Sequence, residues 1–378
     1  MPNPIYLDYN ATTPHDPEVI EAMRPFLESH FGNPSSSHPD GRFARDAVEQ
    51  ARAQVASLLN CESDEIIFTS GGTESNNYAI KGIALSRRDR GNHIITSTIE
   101  HPAVVQVCRH LETCGFQITW IPVDETGMIN VNDVEAAIRP ETVLITIMHA
   151  NNEVGTIQPI GDIARNGEIA VHTDAAQSVG KIPADVNSLN VDLLTIAGHK
   201  IYAPKGIGAI FIKRGIELEP VIHGAGQERG LRPGTENVLE IVGLGKACEV
   251  AKRDLKQNLL HMSAMRDRLA RQITESLDDV RRNGHSEQSL PNTLSLSFFG
   301  IEANKLLEQI SDHVAASAGA ACHSGGVTIS SVLKAMRVPE EWAKGTIRLS
   351  TGRKTTAQDI DTAANIIINA VKKNRVAR

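Results

Sequence analysis

The stretch "ASAGAACHSGG" sets Cys322 among alanine, glycine and serine. Two chemistries fit a cysteine so flanked: a small apolar residue packed in a tight turn, or a thiolate nucleophile. Upstream, the apolar run "DLLTIAG" leads into His199 and Lys200. A lysine after such a run is partly desolvated, which lowers its pKa and makes it a better amine nucleophile toward an aldehyde. Taken alone, it equally fits a lysine whose stem snorkels to bring the head to water. "IAVHTDA" ends in Asp174, with Gln177 a turn later; an acid there also serves as a loop cap. "EIIFTS" runs into Gly71, Gly72 and Thr73 at a helix start. That suits a phosphate, or a plain N-cap. No Gly-Lys-Ser/Thr follows, so it is not a nucleotide P-loop. His101 opens the helix after "HIITSTIE", either as a ring able to stack on a flat ligand or as a helix-end histidine.

What positions these residues is a repeating pattern. Seven short β-rich runs, at 65–70, 93–97, 117–123, 143–150, 169–175, 192–198 and 208–213, alternate with stretches of 3.6-residue periodicity. Such alternation predicts an α/β fold with a mainly parallel seven-stranded sheet covered on both faces. No full helix separates the last two runs, so "GAIFIK" is expected to pair antiparallel. Ligands of open α/β sheets bind beyond the carboxyl ends of the strands, and the reactive residues crowd those ends. Near Gly234 the character changes to a long helix over about 236–276, then "NTLSLSFF", another helix, the cysteine loop and a last helix from about Thr356. The expected division is a large domain over 16–250 and a smaller α+β domain made of 1–15 and 251–378.

Composition excludes several classes. The 378-residue chain has a formal net charge of −7, and its one cluster of Lys and Arg, "KKNRVAR", reads as a solvated helix end rather than a nucleic-acid footprint. No apolar run is long enough to span a bilayer, and "MPNPIYLDYNATTP" lacks the pattern of a signal peptide. Five scattered cysteines argue for reduced thiols and a cytoplasmic setting. Cys61, Cys108, Cys114 and Cys248 lie in or beside amphipathic text and read as buried small residues. There is no C-x-x-C pair, and His149, His172 and His199 lack the paired i, i+4 spacing of helical ligands, so no metal is expected.

Taken together, a phosphate cradle, a carboxylate and a lysine at neighbouring strand ends are the parts that hold pyridoxal 5'-phosphate. The lysine forms a Schiff base with it, and the acid keeps the pyridine nitrogen protonated. The blocks "YLDYNATTP", "FGNPSSSH", "FTSGGTESNN", "EHPAV", "HANNEVGTIQPI", "HTDAAQSVGK", "GHKIYAPKGIGA", "GAGQERGLRPGTENV", "SAGAACHSG" and "IRLSTGR" run in order from residue 6 to 353. Through them the chain resembles the cysteine desulfurase/selenocysteine lyase family of fold type I pyridoxal phosphate enzymes, which are class-V aminotransferase-like. The resemblance implies Lys200 as the Schiff-base lysine, His101 stacked on the ring, Asp174 at the pyridinium nitrogen and Gln177 at the phenolic oxygen. It implies Gly72, Thr73 and His199 at the phosphate, and Asn152 and Arg348 at the substrate carboxylate. Thr235 would reach the cofactor of a partner subunit, giving a homodimer with shared active sites. Cys322 would take sulfur from L-cysteine as a persulfide, leaving L-alanine, and pass it to an acceptor protein, an activity tied to iron–sulfur cluster assembly.

Three departures from the family pattern bear on substrate and partner. Ala197 stands where many cysteine desulfurases have a phosphate-binding serine. Animal-type selenocysteine lyases also lack that serine and share "GAACHS" and the "GQER…RPGTEN" pattern. Release of selenium from L-selenocysteine is therefore the alternative activity. "IGDIARNGEIAVHTD" is shorter than usual by about one helical turn, and the chain stops soon after its last helix, which argues against docking a scaffold through a C-terminal extension. A third class is a sulfur-relay partner that carries the cofactor and is nearly inactive alone. The small residues around Cys322 fit a mobile loop that ferries sulfur. The cofactor reading has a direct test: the purified protein should be yellow, and borohydride should bleach it while fixing the cofactor to Lys200. A Lys200→Ala protein that is still fixed by borohydride would refute the assignment.

Overall fold

The computed structural model describes residues 4–163, 169–318, 320–323 and 326–376, with the side chains of 320–323 and 326–328 outside that description. The chain begins with a short strand β1 (Ile5–Tyr6) and helices α1 (Pro17–Glu28) and α2 (Pro39–Leu59). Strands β2 (Ile66–Thr69), β3 (His93–Ser97), β4 (Gln117–Ile121), β5 (Thr142–Thr146), β6 (Ala170–Asp174), β7 (Leu193–Ala197) and β8 (Gly208–Ile212) then form one sheet in the order β2-β8-β7-β6-β5-β3-β4. Strands β3 to β7 are mutually parallel, whereas β8 runs antiparallel to both β7 and β2. The expected antiparallel pairing of "GAIFIK" is therefore present, because a short turn-rich link cannot carry the chain back across the sheet as a crossover helix would.

Both faces of this sheet are apolar, so its strands read as continuous hydrophobic runs rather than alternating ones. Successive side chains still point to opposite sides. Ile67, Ile94, Leu144, Leu193 and Ile210 face a core shared with α3 (Gly72–Ser86) and α4 (Pro102–Thr113). Their neighbours Ile66, Ile95, Ile145, Leu194 and Phe211 face the opposite core, which α2 and the later helices cover. A short helix α5 (Val131–Ala137) packs near β4.

Helix α6 (Val238–Ser276), 39 residues long, joins this body to a second core. Its first half buries Ile241, Leu244 and Cys248 against the sheet, and its second half buries Leu269 and Ile273 elsewhere. That second core is built on β9 (Val280–Asn283), β10 (Thr293–Phe298), α7 (Ala303–Ile310), β11 (Val314–Ala315) and β12 (Ser317–Ala318), followed by a hairpin of β13 (Ala320–His323) and β14 (Gly326–Ile329). Strand β15 (Thr346–Ser350) and helix α10 (Ala357–Val376) complete it, whereas helices α8 (Ser331–Ala335) and α9 (Glu340–Ala343) bury Val332, Leu333 and Ala343 in the core of the sheet body. β12, β15, β10 and β9 make an antiparallel sheet, and β1 pairs parallel with β11. Where the sequence suggested a mobile loop around Cys322, the backbone forms an antiparallel ladder with Cys322 opposite Val327. The run "VTI" after the two glycines supplies the β-branched residues that favour such a strand.

The segment 223–237 is held to the sheet edge by one buried ion pair. Arg52 of α2 donates from both terminal nitrogens to Glu228 at 2.8 Å and lies over the Phe68 ring, while Glu228 also accepts from the Phe68 N–H. Glu228 and Arg229 are both left-handed (φ 45° and 58°), a conformation non-glycine residues hold only when their surroundings impose it. Arg52→Ala leaves the Glu228 carboxylate buried without its partner and should lower unfolding free energy in urea by about 3–5 kcal/mol. Glu49→Ala, which removes the exposed partner of the same arginine, should cost less than about 1 kcal/mol. Equal effects would mean the buried pair does not anchor the segment.

Candidate active site

The carboxyl ends of β6 and β7, the start of α3 and the N-terminal segment enclose a cavity of about 350 Å³. Lys200 follows β7 through a single tight turn, Gly198–Lys200. Its Nζ donates to the backbone carbonyls of Asn10 and Ala11 at 2.6 and 2.7 Å. Thr13 completes the clasp: its N–H and hydroxyl both donate to the His199 carbonyl, and its oxygen accepts from the Tyr202 N–H. Burial first, and the Arg348 cation second, pull Lys200 down to about 8, with Asp8 and Asp174 opposing. The solvated alternative for this lysine is therefore not what the structure has.

Asp174 ends β6 and is buried. Its Oδ2 accepts from Asn76 Nδ2 at 2.8 Å and its Oδ1 from the Ala176 N–H at 3.0 Å. His101 caps α4, accepting from the Ala103 N–H through Nδ1 at 3.1 Å. That fixes the other nitrogen as the protonated one and leaves a neutral ring, in keeping with burial lowering its pKa. Both sequence alternatives for His101 hold at once, since the same ring also lines the cavity. His199 bonds Thr12 through Nδ1 at 3.2 Å, and burial takes it down to about 4.

Gly72 and Thr73 begin α3 on the cavity wall, and the N-cap residue Gly71 (φ 146°) supplies no side-chain cap to the helix. A Cβ on Gly72 would come within 3.3 Å of the Ala197 Cβ and narrow this end. An uncapped helix N-terminus in a recess opened by glycine suits a phosphate. With an amine of lowered pKa and a buried carboxylate on adjoining strands, the residues present fit pyridoxal phosphate.

Opposite lies Arg348 on β15. One terminal nitrogen donates to Asp8 at 2.7 Å and to Ser317 at 3.2 Å, and the other donates to the Asn152 carbonyl at 3.0 Å. Its Nε is buried without a partner among the described residues, and the residue lines the cavity. Gln177 and Asn152 line the same cavity. Nine of the residues singled out in the sequence therefore converge: Gly72, Thr73, His101, Asn152, Asp174, Gln177, His199, Lys200 and Arg348. Thr235 does not; it is exposed on the 223–237 segment. The Cys322 side chain lies outside the described residues.

Two groups at the site carried no role in the sequence reading. Asp8 pairs with Arg348, and Asn10 is a hub: its carbonyl accepts from Lys200 and Gln177, and its side chain bonds Lys181, Asn292, Thr293 and the Asn152 carbonyl. The signal was available, because "DYNATT" follows the β1 run as other polar clusters follow the sheet strands. The remaining cysteines divide: Cys108 and Cys248 are buried as expected, with burial pushing both up to about 12, whereas Cys61 and Cys114 are only partly covered. His149 and His172 bond Ser178, Thr146 and Thr195 hydroxyls inside the sheet body.

Comparison with known proteins agrees with this geometry. The class-V aminotransferase family profile matches residues 5–362. A cysteine desulfurase IscS from Dictyoglomus turgidum is 46% identical over 99% of this chain and 96% of its own length. The solved structure of a NifS-like protein superposes with a TM-score of 0.92 at 38% identity, covering 97% of this chain and 99% of that one. A structure described as SspA in complex with cysteine gives a TM-score of 0.81 at 40% identity, covering 93% and 99%.

The amine's environment has a measurable consequence. Cofactor-free protein mixed with pyridoxal phosphate should gain colour at a rate that climbs about tenfold per pH unit and levels off near pH 8, because only the unprotonated amine attacks. Arg348→Leu removes the nearby like charge and should move that midpoint upward. Between about pH 8 and 10.5 the unfolded chain holds a proton at Lys200 that the folded chain lacks, so this residue's contribution to stability rises with pH. A rate midpoint at the ordinary lysine value would contradict the desolvated setting.

Proposed function

The chain belongs to the class-V aminotransferase family, and within it to the cysteine desulfurases, and from that premise we propose how its pocket converts L-cysteine to L-alanine. The observation that carries the reading is the convergence of Lys200, Asp174 and the uncapped start of α3 on one side of a small cavity, with Arg348 on the other. The family depends on pyridoxal phosphate, and this cavity is its proposed site. When bound, the cofactor supplies an electron sink for charge at the substrate Cα. Asp174, held by Asn76 and the Ala176 N–H, keeps the ring nitrogen protonated. Gln177 and the neutral ring of His101 orient the ring, and Gly72, Thr73 and His199 hold the phosphate. Arg348, with Asn152, binds the substrate carboxylate. Lys200, with a pKa near 8, exchanges protons with the substrate near neutral pH.

Cys322 is the proposed sulfur acceptor. Its thiolate attacks the substrate sulfur; an S–S bond forms, the Cβ–S bond breaks, and the electron pair left on Cβ takes up a proton to give alanine. The persulfide then passes sulfur to an acceptor protein. We read the enzyme as a cytoplasmic homodimer, with Thr235 on its exposed segment serving the partner's cofactor. Among the described residues no helix is long and apolar enough to cross a membrane. The division into 16–250, and 1–15 with 251–378, belongs to the same reading and is supported by the two cores that α6 joins.

Ala197, on the cavity wall in place of a serine, favours selenocysteine as a second substrate. Selenium leaves with less help than sulfur, so one variant separates the activities. Cys322→Ala should lower alanine formation from L-cysteine by roughly 10³-fold or more, while keeping most of any activity on L-selenocysteine. Both are read as alanine released under reductant. Near-parental cysteine turnover in the variant would make Cys322 a packing residue.

A further inference from the structure

Gln177 is gripped from behind by a residue with no assigned role. One helical turn further on, Lys181 is 5% exposed. Its Nζ donates to Gln177 Oε1 at 2.7 Å and to Asn10 Oδ1 at 3.2 Å. Both acceptors are neutral amides, and no carboxylate among the described residues forms an ion pair with it. The charges that bear on it are the cations Lys200 and Arg348, which add to burial in pushing its pKa well down. Burying an amine beside two cations and away from any counter-ion is costly. A methionine would fill a similar volume without that cost, so stability does not explain the residue.

Geometry offers a role. An ammonium only donates, and a neutral amine with both neighbours as acceptors donates as well. In the structure Gln177 turns its oxygen toward Lys181 and its Nε2 to the other side. One N–H of that nitrogen goes to the Asn10 carbonyl at 2.9 Å, the same carbonyl that accepts from Lys200. The second N–H belongs to the cavity that Gln177 lines. Without Lys181 the amide orientation rests on the Asn10 carbonyl alone, and Gln177 Oε1 loses its donor.

We propose that Lys181 is a positioning residue for the reaction, fixing the Gln177 amide so that it offers a donor, never an acceptor, to an anionic ring oxygen of the cofactor. The proposal rests on pyridoxal phosphate being bound at Lys200. A donor fixed at that oxygen weakens its hold on a proton shared with the Lys200 nitrogen, so Lys181 keeps the pH midpoint of the bound cofactor low. The other titratable groups facing this end are Asp174 from β6, His101 from the start of α4, His199 beside Lys200, Asp8 from the N-terminal segment and Arg348 from β15.

The test compares the yellow holoenzyme of the parent with Lys181→Met, Lys181→Gln, Gln177→Ala and the double variant Lys181→Met/Gln177→Ala. Each is read by the pH midpoint of its visible absorption, and by kcat and KM for L-cysteine. Lys181→Met should raise the midpoint by about one pH unit. It should lower kcat about tenfold with KM within about twofold, because carboxylate binding at Arg348 is untouched. Lys181→Gln, which retains an N–H for the Gln177 oxygen, should shift it less, and it carries the test if the methionine variant does not fold. In the Gln177→Ala background, Lys181→Met should add no further shift. An unmoved midpoint in both single Lys181 variants, or a full shift when Gln177 is already absent, overturns the proposal. A parent protein that borohydride does not fix at Lys200 takes down the cofactor reading as well; a parent that is fixed, with unmoved variants, sinks this inference alone.

Discussion

Everything at the pocket turns on where one buried amine puts its hydrogens. Lys200 is withdrawn from water, and in place of water it has two backbone carbonyls, those of Asn10 and Ala11. Carbonyls are strong acceptors that carry no formal charge. They hold the amine in position without the stabilisation a carboxylate would give its protonated form, so its proton comes off near neutrality. A carboxylate in the same place would have produced an inert ion pair. Residues 10–13 are thus as much part of the reactive centre as the strand that delivers the lysine, and the threonine clasp on the 198–202 turn makes the two segments one rigid unit.

The same preference for neutral partners runs through the surrounding shell. Lys181 meets two amides, burial lowers the pKa values of His101 and His199, and Arg348 pairs with a partly buried Asp8. Arg348 is the cation at the cavity wall, with Asp8 against it, while burial and neighbouring cations pull the pKa values of Lys200 and of Lys181 behind it down.

Much of this was legible beforehand. The seven sheet strands are short apolar runs punctuated by helical periodicity, and the polar residues at their carboxyl ends, Asp174, Lys200 and the Gly72–Thr73 turn, announce a site by position alone. Asn10, Asp8 and Lys181 escaped for a physical reason. Their contacts close across the fold, Asn10 to Lys181 over 171 positions and Asp8 to Arg348 over 340, and a polar cluster after a strand marks a site without saying which of its residues is the hub. Arg348 and Thr235 came from resemblance, not pattern; a single arginine in a strand has no periodic signature. At Cys322 glycine and alanine suit a loop or a tight turn alike, and the strand propensity of the hairpin sits in the residues that follow.

The parallel pairing of β1 with β11 joins residue 5 to residue 314, and the ion pair between Asp8 and Arg348 spans 340 positions. During synthesis the first strand leaves the ribosome early, but its partners are among the last segments to emerge. The sheet body can condense around its local strand–helix units well before then, since those contacts are close in sequence. The anion-binding wall cannot. A chain made only to the end of β8 therefore has the strands of its sheet and Lys200 at a strand end, yet lacks Arg348 and Cys322. This topology completes the pocket wall only once the strand that carries Arg348 has been made.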